Sequence, residues 1–264
     1  MTRTAVYTAL TLRVRQCGEN REASFLTAEE GIVRATVFGG PKSSLRSSVA
    51  PFNEGALHIY HDPVKDTRKV SEFDVRLWRP GLRELYERSE NASKLSAALL
   101  HSHGGGGSWP QALALGSAAL DALENAGEES CTRIYLCFLW RWAYFLGQQP
   151  DINHCSVCAC EIPPDGVLWC RNGELYCVSC GEGRGLFLGP ESRRWLDSAQ
   201  HDGYAAAGKS LDAAPFAQAL ALARTVLHLG YGYGYGYGYG YGYGYGYGYG
   251  YGYGYGYGYG YGYG

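Results

Sequence analysis

The chain has 264 residues, a formal net charge of −2 and 46% hydrophobic residues. That is enough apolar material for a core, and the charge balance excludes a globally basic nucleic-acid binder, so any cationic surface has to be local. Residues 230–264 are an unbroken Gly-Tyr alternation holding 17 of the 24 tyrosines; setting them aside leaves about 229 residues of ordinary sequence, a two-domain length.

The first 80 residues carry 12 Lys and Arg against 9 Asp and Glu, a mild excess of +3. Met1 to Gln16 alternates apolar residues with Thr and Arg instead of forming an apolar run behind a basic start, so no secretory leader is expected. In "ALTLRVR", Leu10, Leu12 and Val14 fall on one face and Thr11, Arg13 and Arg15 on the other, the period of two of a half-buried strand. "ASFLT", "IVRATVF", "GALHIYH" and "KVSEFDVRLW" repeat the pattern. About five short strands in residues 5–79 point to a small closed barrel of OB or SH3 type.

After Pro80 the period becomes helical. Leu82, Leu85, Ala92, Leu95 and Leu99 recur at helix spacings, "HGGGGSWP" breaks the chain, and Pro110 suits the first turn of the next helix. A third helix is expected from about Cys131 to Leu146, with Ser130 as N-cap and Gly147 as its stop; it is apolar nearly all round, as a buried central helix should be. The stretch "IYLCFLWRWAYFLG" is too short to span a bilayer and contains Arg141, so the chain reads as cytoplasmic and not membrane-bound. "PESRRWLDSAQ" and "PFAQALALARTVLHL" read as two further helices.

Before them, and after the apolar helix, lie six of the nine cysteines, within residues 155–180. Cys155 and Cys158 form one C-x2-C and Cys177 and Cys180 another, a separation expected of a four-cysteine zinc site. Two such turns complete a tetrahedron with no open position, so the metal is structural. "WCRNGELYC" supplies a hairpin with Asn172-Gly173 at its turn, as in a zinc ribbon. Disulfides suit a cytosolic chain poorly, and a redox C-x-x-C lacks its βαβ context. Cys160 and Cys170 are either small buried residues or substitutes for a neighbouring ligand; His154 reads as a loop residue. There is no His-x-Glu, Walker loop, Gly-x-Ser-x-Gly or His-Glu-x-x-His, so no enzyme is indicated.

The order of these parts, a barrel, a helical domain and a four-cysteine ribbon directly after the apolar helix, resembles the RecO family of bacterial recombination and repair mediators. The resemblance rests on the first strand, on Glu22 with Thr27 to Gly31, on the Gly-rich basic loop followed by Val49-Ala50-Pro51-Phe52, and on Gly147, Pro150, Cys155 and Cys158 in "FLGQQPDINHCSVC". It covers about residues 5–229. The basic loop here retains chiefly Lys42 and Arg46, with Arg34 before it, the Gly-Tyr tract stands where the family has its C-terminal tail, and "GGGG" interrupts the helical domain.

The fold class expected is therefore α+β: an OB-fold-like DNA-binding barrel at 1–80, a helical domain at 81–229 with a zinc ribbon at about 153–182, and a disordered Gly-Tyr tail at 230–264. Arg13, Arg15, Arg34, Lys42 and Arg46 are the candidate DNA contacts, each alternatively a cation on a solvated strand face. Phe38 and Tyr60 are candidates for stacking or for the core. The resemblance implies binding of single- and double-stranded DNA, strand annealing, contact with single-strand binding protein, partnership with RecR, indirect action on RecA and a nucleoid-associated location. A rival reading is a zinc-stabilised protein-interaction scaffold without DNA binding. The Gly-Tyr tract is either a tolerated coding repeat at a chain end or a stacking segment.

Overall fold

The computed structural model describes residues 4–38, 43–102, 104, 108–229, 245–246 and 248–249. The contacts divide the chain into two compact units, Met1–His228 and Leu229–Gly264.

The first unit begins with strands β1 (Thr4–Cys17), β2 (Asn20–Thr27) and β3 (Gly31–Val37), a short helix α1 (Ser44–Ser48), and strands β4 (Glu54–Asp62) and β5 (Thr67–Leu77). They close into a barrel in the order β1-β2-β3-β5-β4, antiparallel except where β3 meets β5 at Thr36 and Lys69. This is an OB-fold-like barrel. Alternate residues of the strands fill it: Tyr7, Ala9, Ala23, Phe25, Val33, Ala35, Val37, Leu57, Ile59, Val70 and Phe73 form one core, with Phe25 edge-on to Phe73 at 5.8 Å. In β1 the core takes Tyr7 and Ala9 and not the expected Leu10 and Leu12, and Thr11, expected on the polar face, is buried, because the register shifts between Thr11 and Arg13. The outer side of the same strands is not all solvated. Leu10, Leu12 and Leu26 are buried as completely as the inner residues, because helices cover this face.

The turn from β2 to β3 is fixed by Thr27, whose hydroxyl donates to the Gly31 carbonyl and accepts from the Glu30 amide, both at 3.0 Å. Gly31 has φ +74, and a Cβ there would lie 3.1 Å from the Trp109 ring. Both features demand glycine.

A turn of 3-10 helix (Pro80–Arg83) leads into α2 (Tyr86–His101), α3 (Trp109–Glu124) and α4 (Glu128–Phe145). Most of the glycine break, residues 103 and 105–107, lies outside the described residues. Helix α4 is the buried centre expected, with Ile134 to Trp140 and Trp142 enclosed and Trp142 stacked between Phe138 and Phe145. It starts earlier than its sequence suggested. Gly127, not Ser130, is the N-cap, and Glu128 and Glu129 occupy the first turn, where carboxylates favour the positive end of the helix.

The ribbon follows: β6 (Leu168–Arg171), β7 (Glu174–Tyr176), a single helical turn α5 (Val178–Gly181) and β8 (Leu186–Leu188), in sheet order β7-β6-β8. Asn172 and Gly173 have φ of +55° and +87°, as a two-residue hairpin turn requires. Helices α6 (Pro190–His201) and α7 (Ala213–Val226) close the unit against α4. No helix among the described residues is long and apolar enough to cross a membrane.

In the second unit, β9 (Tyr245–Gly246) pairs antiparallel with β10 (Gly248–Tyr249). The rest of the Gly-Tyr tract, for which disorder is expected, lies outside the described residues.

Barrel and helices are tied by Arg79, left-handed at φ +45 and only 4% exposed. Its Nε donates to Asp121 at 2.6 Å, Nη1 to the Phe52 carbonyl at 2.9 Å, and Nη2 to Glu54 at 3.0 Å and to the Ser117 hydroxyl at 2.6 Å. Ser117 in turn donates to Glu54 at 2.7 Å. Removing one member of a buried charge pair leaves the other uncompensated, at a cost of about 3–5 kcal/mol. Arg79→Ala is therefore expected to lower unfolding stability by about that amount, whereas Asp121→Asn, at a side chain 57% exposed, should cost at most about 1 kcal/mol. Chemical denaturation of the two variants checks the contrast.

Candidate metal centre and nucleic-acid interface

The first C-x2-C lies in a tight loop. The Cys155 amide donates to the Cys160 carbonyl at 3.0 Å, Ala159 donates to the Cys155 carbonyl at 2.9 Å, and Ile162 to Asn153 at 2.8 Å. Ala159 takes a left-handed conformation, φ +57, that turns the chain back on itself. The second C-x2-C opens α5, where Gly181 donates to the Cys177 carbonyl at 2.7 Å. Ser156 joins the two loops, its amide donating to the Leu175 carbonyl at 2.8 Å and its hydroxyl accepting from the Leu175 amide at 3.2 Å.

As a result the sulfurs of Cys155, Cys158, Cys177 and Cys180 all lie within 4.8 Å of one another. A tetrahedral zinc with bonds of about 2.3 Å needs neighbouring sulfurs roughly 3.8 Å apart, and the Cys158 and Cys177 sulfurs are 3.8 Å apart. The residues fit the metal. The four-cysteine cluster is capable of coordinating an ion, and it is the sole such group of three or more ligands among the described residues.

The backbone already prepares two thiolates. Burial raises the Cys155 thiol, but the amides of Cys158, Cys177 and Val157 outweigh that and bring it down to about 6. The Cys177 amide donates to the Cys155 sulfur at 3.3 Å. Cys177 is lowered chiefly by the amide of Cys180, while hydrogen bonding to Cys158 and Cys177 pushes Cys180 up to about 12. Protons thus remain on part of the cluster until a cation displaces them.

The two other cysteines of this segment differ from each other. Cys170 is buried in the ribbon sheet, paired in register with Leu175 and Leu186. Cys160 is exposed, and the neighbouring Cys158 and Cys177 push its thiol up to about 12. His154 is a loop residue whose Nδ1 lies 2.8 Å from Asp151.

The ribbon is anchored by Arg193, which the sequence did not single out. Although 5% exposed, its guanidinium meets no carboxylate there. Instead Nε donates to the Ile152 carbonyl at 2.8 Å, Nη1 to Pro163 and Gly166 at 2.8 and 3.0 Å, and Nη2 to Ile162 and the Asn153 side chain at 3.1 and 3.3 Å. One side chain of α6 holds both ends of the first cysteine loop.

On the barrel, strand register sets Arg13, Ser24 and Arg34 side by side across β1, β2 and β3. Arg15 lies one row on, where Glu22 takes its Nη2 at 2.7 Å and its Nε at 3.1 Å, so that cation is neutralised. Arg46 lies on α1. Lys42 lies outside the described residues. Two further cations of the barrel were missed in the sequence. Arg21 donates to the carbonyls of Arg46 and Val49, each at 3.0 Å, which caps α1; burial and then the nearby Arg46 charge lower its pKa. Lys69 lies 5.4 Å over the ring of Phe38, which is 43% exposed and not a core residue. The signal for both was positional: Arg21 pairs with Val37, and Lys69 with Thr36, so both flank the segment that ends at Phe38.

A closed OB-fold-like barrel is followed by helices and by a ribbon whose four cysteines are capable of coordinating a metal ion. Residues 106–229 match the family model described as Recombination protein O C terminal, which assigns this part of the chain to the RecO C-terminal domain. Recombination proteins of this family are mediators without a catalytic role, in line with the reading of the chain as no enzyme. No curated protein matches the sequence.

Two outcomes are expected. Cys155 is a thiolate above about 6 and protonates as pH falls through that value. Zinc affinity, measured by chelator competition, should therefore rise from pH about 5 to 8 and weaken steeply on acidification. Arg193→Met should speed zinc dissociation about tenfold or more, the range seen when groups that orient metal ligands are removed, while the four thiols remain titratable.

Proposed function

We propose that this protein is a recombination mediator of the RecO type, which binds single- and double-stranded DNA, anneals complementary strands and, with RecR, helps place RecA on DNA coated by single-strand binding protein. The observation that supports this reading is the set of cations on the barrel: Lys69 lies over the ring of exposed Phe38, Arg13 and Arg34 flank Ser24 in one row of the register, and Arg21 holds the helix that carries Arg46. Cations that follow a phosphate backbone, next to a ring on which a base can stack, suit single strands of any sequence. Two strands held on one cationic surface repel each other less, which favours annealing without chemistry on any bond.

On this reading residues 1–80 form the DNA-binding domain and residues 81–229 the partner-binding helical domain. A structural zinc held by Cys155, Cys158, Cys177 and Cys180 fixes the ribbon at about 153–182. The Gly-Tyr tail, 230–264, is a separate appendage, and the protein works in the cytoplasm at the nucleoid.

The neutralised Arg15 favours the scaffold reading at that one position, and it makes the test specific. Arg34 forms no ion pair among the described residues, so Arg34→Ala should weaken single-strand binding on all sequences and reduce the slope of log affinity against log salt by about 0.7. Arg15→Ala should change neither by a comparable amount. Fluorescence anisotropy across a salt series reads both. A wild-type chain that binds no DNA even at low salt would leave the scaffold reading in place.

A further inference from the structure

The ribbon sheet turns one face in and the other out. Leu168, Cys170, Leu175 and Leu188 are buried on the inner face. On the outer face Trp169 stands opposite Tyr176 of β7 and opposite Phe187 of β8. Paired residues of antiparallel strands point the same way, so the three rings form one row across the sheet. The Trp169 and Phe187 rings meet at 5.1 Å between centroids, and the Arg171 guanidinium lies 4.2 Å over the Tyr176 ring. Phe187 is exposed, and Trp169 and Tyr176 are half-buried. An apolar residue exposed singly is ordinary, whereas adjoining rings on an outer face mark a contact surface.

The charge around this row decides what it takes up. Residues 151–184 carry five Asp and Glu against two Arg, a net of −3 with histidine neutral. Of the two arginines, Arg171 is engaged on Tyr176 and Arg184 lies 3.4 Å from Glu182. Such a field repels phosphates and attracts cations. Glu174 is exposed, pairs with Arg171 in register beside the row, and accepts from the Tyr176 hydroxyl at 3.3 Å. We propose that the outer face of the ribbon docks an extended, arginine-bearing segment of a partner protein. One guanidinium lies against the exposed ring of Phe187 beside Trp169, and a second pairs with Glu174. The outer strands of the sheet are about 10 Å apart, a gap that about three extended residues cross. Arginine suits both contacts, because its planar group stacks on rings and forks onto carboxylates; Arg171 already stacks this way within the sheet. The inference goes beyond the proposed function and is independent of DNA binding by the barrel.

The full chain, supplied with zinc, is titrated at low salt into fluorescein-labelled peptides that alternate glycine with arginine, with lysine or with glutamate, and into a labelled oligo-dT strand. Anisotropy reads the binding. The arginine peptide is expected to bind more tightly than the lysine peptide, and the glutamate peptide not to bind. Phe187→Ala and Glu174→Gln should each weaken the arginine peptide about threefold, and together about tenfold, with any oligo-dT binding unchanged. Glu174 is exposed, so its variant decides the matter even where loss of the Phe187 ring disturbs the ribbon. An arginine peptide held no better than the lysine or glutamate peptide, or held equally by the wild type and both variants, would overturn the proposal. Loss of oligo-dT binding in Phe187→Ala would assign the face to nucleic acid and overturn it as well.

Discussion

The buried guanidinium of Arg79 is the interaction on which the arrangement of barrel and helices depends. A charge 4% exposed persists only if its donors are satisfied, and here they are met by the loop before β4, by β4 itself and by two residues of α3. The barrel's outer face packs apolar residues, Leu10 and Leu26 among them, against the helices. Such packing is tolerant of sliding, whereas a planar fork with fixed acceptors is not. Arg79 thus sets the register between the barrel and the helices packed on it.

Arg193 repeats the device at the other end of the molecule with backbone carbonyls as acceptors. The ribbon is small, with strands of three or four residues, too few for a core of its own. Its geometry therefore comes from outside and inside at once. Arg193 holds the ends of the first loop, and the cluster of sulfurs joins that loop to the second. A metal in such a site contributes directly to folding.

Much of this was legible in the sequence, because the strongest signals are local. Period-two runs named all five barrel strands, the paired C-x2-C motifs named the cluster, and Asn172-Gly173 named its hairpin. What could not be read is what depends on distant partners. Arg79 and Arg193 look like ordinary cations in "LWRPGL" and "SRRWL", and only the fold shows that the first is enclosed by Glu54 and Ser117 and the second by loop carbonyls. Arg15 looks as available as Arg13 until register sets it opposite Glu22. Phe38 carries a core residue's side chain but ends its strand outside the barrel. Cys160 reads from the sequence either as a substitute ligand or as a small buried residue, and the structure leaves it exposed after the turn at Ala159.

The function proposed for these features is that of a mediator that acts by holding strands and partners. The most direct measurement of that claim is the annealing of complementary single strands by the full chain across a salt series, with binding recorded on the same strands. The account predicts accelerated annealing together with binding that falls steeply as salt rises. Absence of both at low salt, in a protein shown to be folded and zinc-loaded, would contradict it.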